Sequence, residues 1–385
     1  MNFNWNDKSV LVTGGAGLIG SHLVDALVER GAKVRVLDSL DEQTHPCGAP
    51  DWINPEAEFI HGDVRDEAVL LKALDGVEYV SHQAAFGGFT PELSKYIECN
   101  AAGIASLYEV LHRNALPVRK VVAASSQAVY GEGAYECDTE GCKGNGRQYP
   151  RSLRDPDDLR EGIWEPFCRD CRESLLPVNV PEDKPLYTET IYGISKLAEE
   201  KLVLGLGRKL GIPSVALRYA VTYGPRQSVF NPYTGVVSIF STQLLNGKSP
   251  VVFEDGNQTR DFLYVSDNVA ANLLCLESQE ADGRVFNVGT GRPVTVNQLV
   301  RELARIYESN LEPLLTGECR PGDVRHFVQD ASAIGELGFV PQVSLEKGLE
   351  CYARWILSLG DVGEHFSKAR AVMEQTALVI KTKES

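Results

Sequence analysis

No apolar run in this 385-residue chain approaches the roughly 20 residues that a membrane-spanning helix needs, although apolar residues make up an ordinary 43%. A basic-then-apolar leader is missing too, because the first apolar run, Val10 to Val12, passes straight into Thr13-Gly14-Gly15. Both absences lead to the expectation of a soluble cytoplasmic protein. Positive charge is scarce: 38 Lys and Arg face 53 Asp and Glu, a net charge of −15. That balance argues against nucleic acid, whose phosphates demand clustered Lys and Arg. A small anion in a local arginine pocket remains compatible with it. Nine cysteines, an odd number, without an export signal make a disulfide framework a poor expectation. Cys99, Cys275 and Cys351 sit in apolar helical stretches and read as packing residues. Internal repeats are absent, and the length suits one large or two modest domains.

What the chain does have is alternation. Lys8 to Thr13 reads as a strand, Gly14-Gly15-Ala16-Gly17-Leu18-Ile19-Gly20 as a turn, and a helix runs to about Arg30. The strand Val34 to Leu37 then ends in Asp38, about twenty residues past the glycines. Gly14 permits a tight turn, Gly17 lets a pyrophosphate approach the backbone, and Gly20 allows close helix–strand packing. The helix start, with Leu18 and Ile19, faces the phosphates with its partial positive charge. Asp38 suits both ribose hydroxyls, which favours NAD over NADP. Strands at Glu58–His61, Val77–Ser81 and Lys120–Ala124 continue the rhythm, with helices over about 66–74 and 92–113. A doubly wound, Rossmann-type parallel α/β sheet is the economical fold. Its ligands bind at the carboxyl ends of the strands, where Gly14, Asp63, Ala84 and Ser126 would lie.

Tyr187-Thr-Glu-Thr-Ile-Tyr192-Gly-Ile-Ser-Lys196-Leu-Ala-Glu-Glu carries apolar residues at helical spacing. Tyr192 and Lys196 then lie one turn apart on the same face. An ammonium beside a phenol favours the phenolate, which makes a general base.

Between Glu132 and Pro185 the rhythm breaks. This insertion, 132–185, is rich in Gly, Pro, Arg, Asp and Cys, and it holds Cys137-x4-Cys142 and Cys168-x2-Cys171. Two cysteine pairs on short knuckles suit tetrahedral zinc, and a segment this polar would need such a staple. Four unconnected surface thiols is the alternative. A redox role for Cys168 and Cys171 fits less well, since the pair does not open a helix after a strand. Beyond it, residues 213–360 mix strands and helices as a smaller, mainly substrate-binding domain, some of whose segments return to the sheet of a 1–212 dinucleotide domain. A helical tail, 361–385, carries Phe366, Val372 and Leu378 and would pack on the body or on a partner subunit.

Six ordered motifs are Thr13-Gly-Gly-x-Gly-x-x-Gly20, Asp63-Val64, His82-x-Ala84-Ala85, Ser126 four before Tyr130, Tyr192-x3-Lys196 and Arg260-Asp261-Phe262. Together they resemble the extended short-chain dehydrogenase/reductase superfamily, and within it the nucleotide-sugar epimerase/dehydratase branch. The likeness runs from about Lys8 to Leu359, apart from the insertion. It implies that Ser126, Tyr192 and Lys196 are catalytic. It further implies dinucleotide contacts from Gly14, Gly17, Leu18, Ile19, Gly20, Asp38, Asp63, Val64, Ala84, Ala85 and Ser125, with Tyr192 and Lys196. Phe86, Gly87, Ser126, Gln127, Asn231, Arg260, Arg320 and Asp323 are the implied substrate contacts, the arginines meeting a diphosphate. A homodimer is implied as well.

The mechanism implied removes a hydroxyl proton and a hydride from a sugar carbon, the hydride going to NAD and returning from the other side. Dehydratases of the branch place an Asp-Glu pair after the hydroxyl residue. Here Gln127 and Ala128 stand there, which favours C4 epimerisation over loss of water. The insertion and the run Asn231-Pro-Tyr-Thr-Gly235 resemble the dTDP-L-rhamnose 4-epimerase type. One departure is Val221, where the family usually carries an Asn that contacts the substrate's phosphate side. A dehydratase, decarboxylase or reductase on a nucleotide sugar, or a non-catalytic NAD-binding sensor, are the rival expectations.

Overall fold

A computed structural model describes residues 3–88, 92–145, 148–149, 154–231, 235–320, 322–375, 379 and 382. Its centre is a seven-stranded parallel sheet. Five strands come from the first third of the chain: β1 (Ser9–Thr13), β2 (Lys33–Asp38), β3 (Glu58–His61), β4 (Tyr79–His82) and β5 (Lys120–Ser126). Two more, Ser214–Tyr219 and Val285–Val288, come from the later part, and the spatial order is 285–288, 214–219, β5, β4, β1, β2, β3. β5 is buried at all seven positions, as a strand covered on both faces must be. The pleat sends Val10 and Val12 into one core with Leu23, Leu27 and Phe286. Leu11 points the other way, into a core with Leu70, Ile104 and Leu107.

A third core, with Tyr223, Phe240, Phe262, Leu303, Leu349 and Ile356, joins the helices Val236–Leu245, Val296–Ile306 and Leu345–Ser358. The helix Val265–Glu277 instead covers the main sheet, so 213–360 contributes to both bodies. The insertion forms a small antiparallel sheet ordered 148–149, 134–136, 176–178. Its cysteines lie in a satellite core with Tyr135 and Leu175. The tail forms a helix, Phe366–Gln375, and packs on the body: Val362, Phe366 and Ala369 are buried, and Glu364 pairs with Lys248 at 2.6 Å. The Val372 side chain and Leu378 lie outside the described residues. Among the described residues no helix is long and apolar enough to cross a membrane.

The helix expected over 92–113 differs in detail. It is α-helical at Leu93–Tyr96 and Gly103–Arg113, with a π-helical stretch, Ile97–Ala102, between them. The extra residue in that stretch alters which side chains face the sheet, and it turns Asn100 fully inward.

Candidate active site

The turn after β1 opens a cavity at the carboxyl ends of the strands. Gly14, Gly17, Asp38, Asp63, Val64, Ala84, Ala85 and Phe86 all line it. Gly14 holds φ +67°, and a Cβ there would lie 2.6 Å from the Ala84 backbone nitrogen, so only glycine fits. At Gly20 a Cβ would meet the Gly14 carbonyl oxygen at 2.2 Å; this glycine serves helix–turn packing rather than the cavity wall. The helix it belongs to, α1 (Leu18–Glu29), has no side chain capping its start. Its first amide groups are therefore available to an anion. Asp38 is fixed by two amides, Ala16 N at 2.9 Å on Oδ2 and Leu40 N at 2.9 Å on Oδ1. Asp63 is gripped by Arg65, whose hydrogen bonds hold its carboxyl below the usual range against burial.

Beside this cavity the turn after β5 meets the helix Ile191–Leu210. Thr190 caps that helix, its Oγ1 accepting from Gly193 N at 3.1 Å. A Cβ on Gly193 would lie 2.6 Å from the Ala128 carbonyl oxygen, which measures how closely the helix start sits on the Ser126 turn. Tyr192 is half-buried, and its ring lies 3.5 Å from where a Cβ on Gly87 would be. Ser126 Oγ accepts from Ala128 N at 3.1 Å, leaving its own proton free to donate. Lys196 is buried, with its ammonium on the Glu199 carboxylate. Burial pushes the Glu199 carboxyl up to about 7, against the attraction of Lys196. His82, at the end of β4, is wholly buried with Nδ1 2.9 Å from Thr13 Oγ1. Burial, helped by the charge of Lys196, lowers it to about 3, so this imidazole is neutral. Ser125 is buried and donates to Glu200 Oε2 at 2.8 Å. Glu200 in turn takes a bidentate pair from Arg218, at 2.9 and 2.7 Å, which ties the helix to the strand 214–219.

A second group lies on the smaller body. Arg260 donates to Asp323 Oδ1 at 3.0 Å, and Arg320 to Oδ2 at 2.6 Å while its guanidinium covers the Phe253 ring. Burial works against the Asp323 charge, but Arg320 and Arg260 outweigh it and hold the carboxyl well below its ordinary value. These are part-buried guanidinium forks rather than exposed surface pairs. Gln127, in the turn after Ser126, buries an Oε1 with no hydrogen-bond partner among the described residues. Asn231 is buried, and the 232–234 run after it lies outside the described residues, as does Pro321. Val221 packs partly buried against the third core, and its backbone nitrogen bonds the Asp261 carbonyl at 3.0 Å.

A family model described as the NAD dependent epimerase/dehydratase family matches residues 10–152 and 176–289. The chain belongs to that family. A dTDP-L-rhamnose 4-epimerase of Burkholderia thailandensis is 32% identical over 357 residues, 91% of this chain and 95% of that protein. A Thermotoga maritima UDP-glucose 4-epimerase solved with UDP-glucose superposes with TM-score 0.75 at 32% identity, covering 92% of this chain and all (100%) of the other. A Bacillus cereus UDP-glucuronic acid 4-epimerase, in complex with UDP-glucuronic acid and NAD, gives TM-score 0.73 at 26% identity, covering 91% and 99%. These relatives are nucleotide-sugar 4-epimerases.

Within this NAD-dependent epimerase/dehydratase chain several working residues escaped the sequence. Ser39, Asp41, Thr44, His45 and Cys99 also line the cavity, and Cys99 is thus half-buried at its wall, whereas Cys275 packs in the core as expected. Asn100 clamps the loop after β4, accepting from Phe86 N at 2.7 Å and donating to Phe86 O at 3.0 Å and Ser195 Oγ at 2.8 Å. The family match skips 153–175, the stretch with Cys168 and Cys171.

Proposed function

We propose that this chain is an NAD-dependent nucleotide-sugar 4-epimerase that passes through a transient 4-keto sugar. The observation that carries this is the seating of the Tyr192 helix on the Ser126 turn, beside the glycine-lined cavity. The cavity fits NAD. Gly14 and Gly17 leave room for a pyrophosphate at the uncapped start of α1, and Asp38 is fixed where a ribose diol would lie. Gly14, Gly17, Asp38, Asp63 and Val64 would hold the dinucleotide. Bound NAD supplies an acceptor that takes a hydride from the sugar and gives it back.

The chain's own groups manage the proton and the orientation. Tyr192 removes the proton of the sugar 4-hydroxyl, and the Lys196 ammonium favours the phenolate that does so. Ser126 donates its free hydroxyl proton to the same oxygen and steadies the charge that develops there. Arg260 and Arg320 take the diphosphate, releasing Asp323 to a ribose, so the hexose can turn while its anchor stays fixed. After Ser126 the turn offers only the Gln127 amide and the Ala128 methyl, neither of which can supply the acid and base of water loss. In this reading the enzyme works in the cytoplasm as a homodimer. Purified protein incubated with dTDP-L-rhamnose, UDP-glucose or UDP-glucuronic acid should build up the 4-epimer of one of them by proton NMR, without net absorbance of reduced cofactor. Stoichiometric reduced cofactor would replace it with a dehydrogenase, and turnover of none with a sensor. Sedimentation at micromolar concentration checks the dimer.

A further inference from the structure

Cys137, Cys142, Cys168 and Cys171 lie outside the catalytic machinery, yet their four sulfurs sit within 4.8 Å of one another. We propose that they form a closed tetrathiolate zinc site that staples the two knuckles of the insertion to each other. The geometry favours a single tetrahedral ion. With Zn–S near 2.3 Å, the edge of an S4 tetrahedron is about 3.8 Å. Cys137 and Cys171 sulfurs are 3.8 Å apart, and those of Cys142 and Cys168 are 3.7 Å apart. Each close pair takes one sulfur from each knuckle, so the knuckles interlock rather than bridge internally. The separations are far beyond the ~2.0 Å of a disulfide. Four sulfurs this close leave no space for the inorganic sulfide of an iron–sulfur cluster.

The turns are built for thiolates. Gly144 N points at Cys142 Sγ at 3.2 Å and Asp170 N at Cys168 Sγ at 3.4 Å, so a backbone amide two residues on supports one sulfur in each knuckle. Cys137 and Cys168 are buried while Cys142 and Cys171 are half-buried, and all four ligand positions are filled by protein. A closed S4 site is structural rather than catalytic. Among the described residues the satellite core around it holds Tyr135 and Leu175 besides the cysteines, a small apolar set that a structural ion would reinforce.

What the staple positions follows from the insertion's other contacts. Tyr135 donates to Glu132 Oε1 at 3.0 Å and accepts from His326 N at 3.1 Å. Glu165 takes Arg325 Nε at 2.9 Å and His326 Nε2 at 2.9 Å. The insertion therefore grips the segment that presents Asp323 to Arg260 and Arg320.

The test begins with metal content. Protein made in zinc-supplemented medium and purified without chelator should carry one zinc per chain. Reduced apoprotein should take up one Co(II) with the ligand-field bands of tetrahedral cobalt thiolate. The double substitution Cys168→Ser, Cys171→Ser should lose the metal and open Lys143, Arg169 and Arg172 to trypsin. Resting on the epimerase reading, it should also raise KM for the nucleotide sugar several-fold more than it lowers kcat. If the double variant does not fold, the cobalt titration of the wild type decides. Iron in place of zinc, no metal and no cobalt uptake, or metal retained by the double variant would each overturn the site. Failure of the epimerase reading would leave the zinc count unchanged.

Discussion

At the scale of single residues, the Tyr192–Lys196 pair was legible because a four-residue step fixes two side chains on one helical face. On the proposed mechanism Tyr192→Phe removes the proton acceptor and nothing else, so turnover should fall by roughly 10²–10⁴-fold while bound NAD, read by release on denaturation, stays at the wild-type level. Glu199 was not legible. An acid three residues past Lys196 reads as a solvated helix position, and only the fold shows it buried against the ammonium. Its carboxyl keeps a proton up to about pH 7 in the folded chain, against an ordinary value of 4.5. Between those limits the folded state binds more protons than the unfolded one. The stability this group contributes is thus complete below the lower limit and is lost as pH rises through about 7. Glu199→Gln should abolish that slope, so the wild type's advantage in urea midpoint over the variant should shrink from pH 5 to pH 8.

At the scale of elements, strand–helix alternation and the glycine turn were readable because buried parallel strands are nearly continuous apolar runs. The π-helical stretch Ile97–Ala102 was not, since one inserted residue barely disturbs a helical period over so short a run. Yet that residue decides where Asn100 points, and Asn100 holds both the amide and the carbonyl of Phe86. Asn100→Ala would strand two buried backbone groups, Phe86 N and Phe86 O, at a cost of about 2–4 kcal/mol, while Ser195 Oγ keeps its bond to the Tyr192 carbonyl. Because the loop it clamps walls the dinucleotide cavity, NAD retention should fall with stability; a variant that loses the stability but binds NAD as tightly would separate the two. The insertion's strands, two or three residues each, carry too few positions to show any period, and the Arg154–Glu254 and Glu165–Arg325 pairs span 100 and 160 residues. Such pairings leave no local trace.

At the scale of the whole molecule, the chain crosses between its two bodies several times. Ser126 ends β5, and β5 pairs along its length with the strand Ser214–Tyr219, Ser126 itself opposite Tyr219. That strand is held by Val285–Val288 in turn, and Asn287 there accepts from Tyr130, which receives Arg218 of the strand Ser214–Tyr219. The Ser126 turn after β5 is thus fastened by residues contributed from beyond 212, and helix Val265–Glu277 covers the same sheet. A fragment ending at residue 212 keeps the glycine turn, Ser126, Tyr192 and Lys196 but exposes one whole edge of β5. Exposed parallel edges of buried apolar strands pair with other chains. The fragment should therefore aggregate or show a broad, non-cooperative thermal transition by circular dichroism, and it should not retain NAD. A soluble 1–212 fragment that unfolds cooperatively with the dinucleotide bound would mean that the glycine-turn half stands alone, and that the later strands serve only the substrate side.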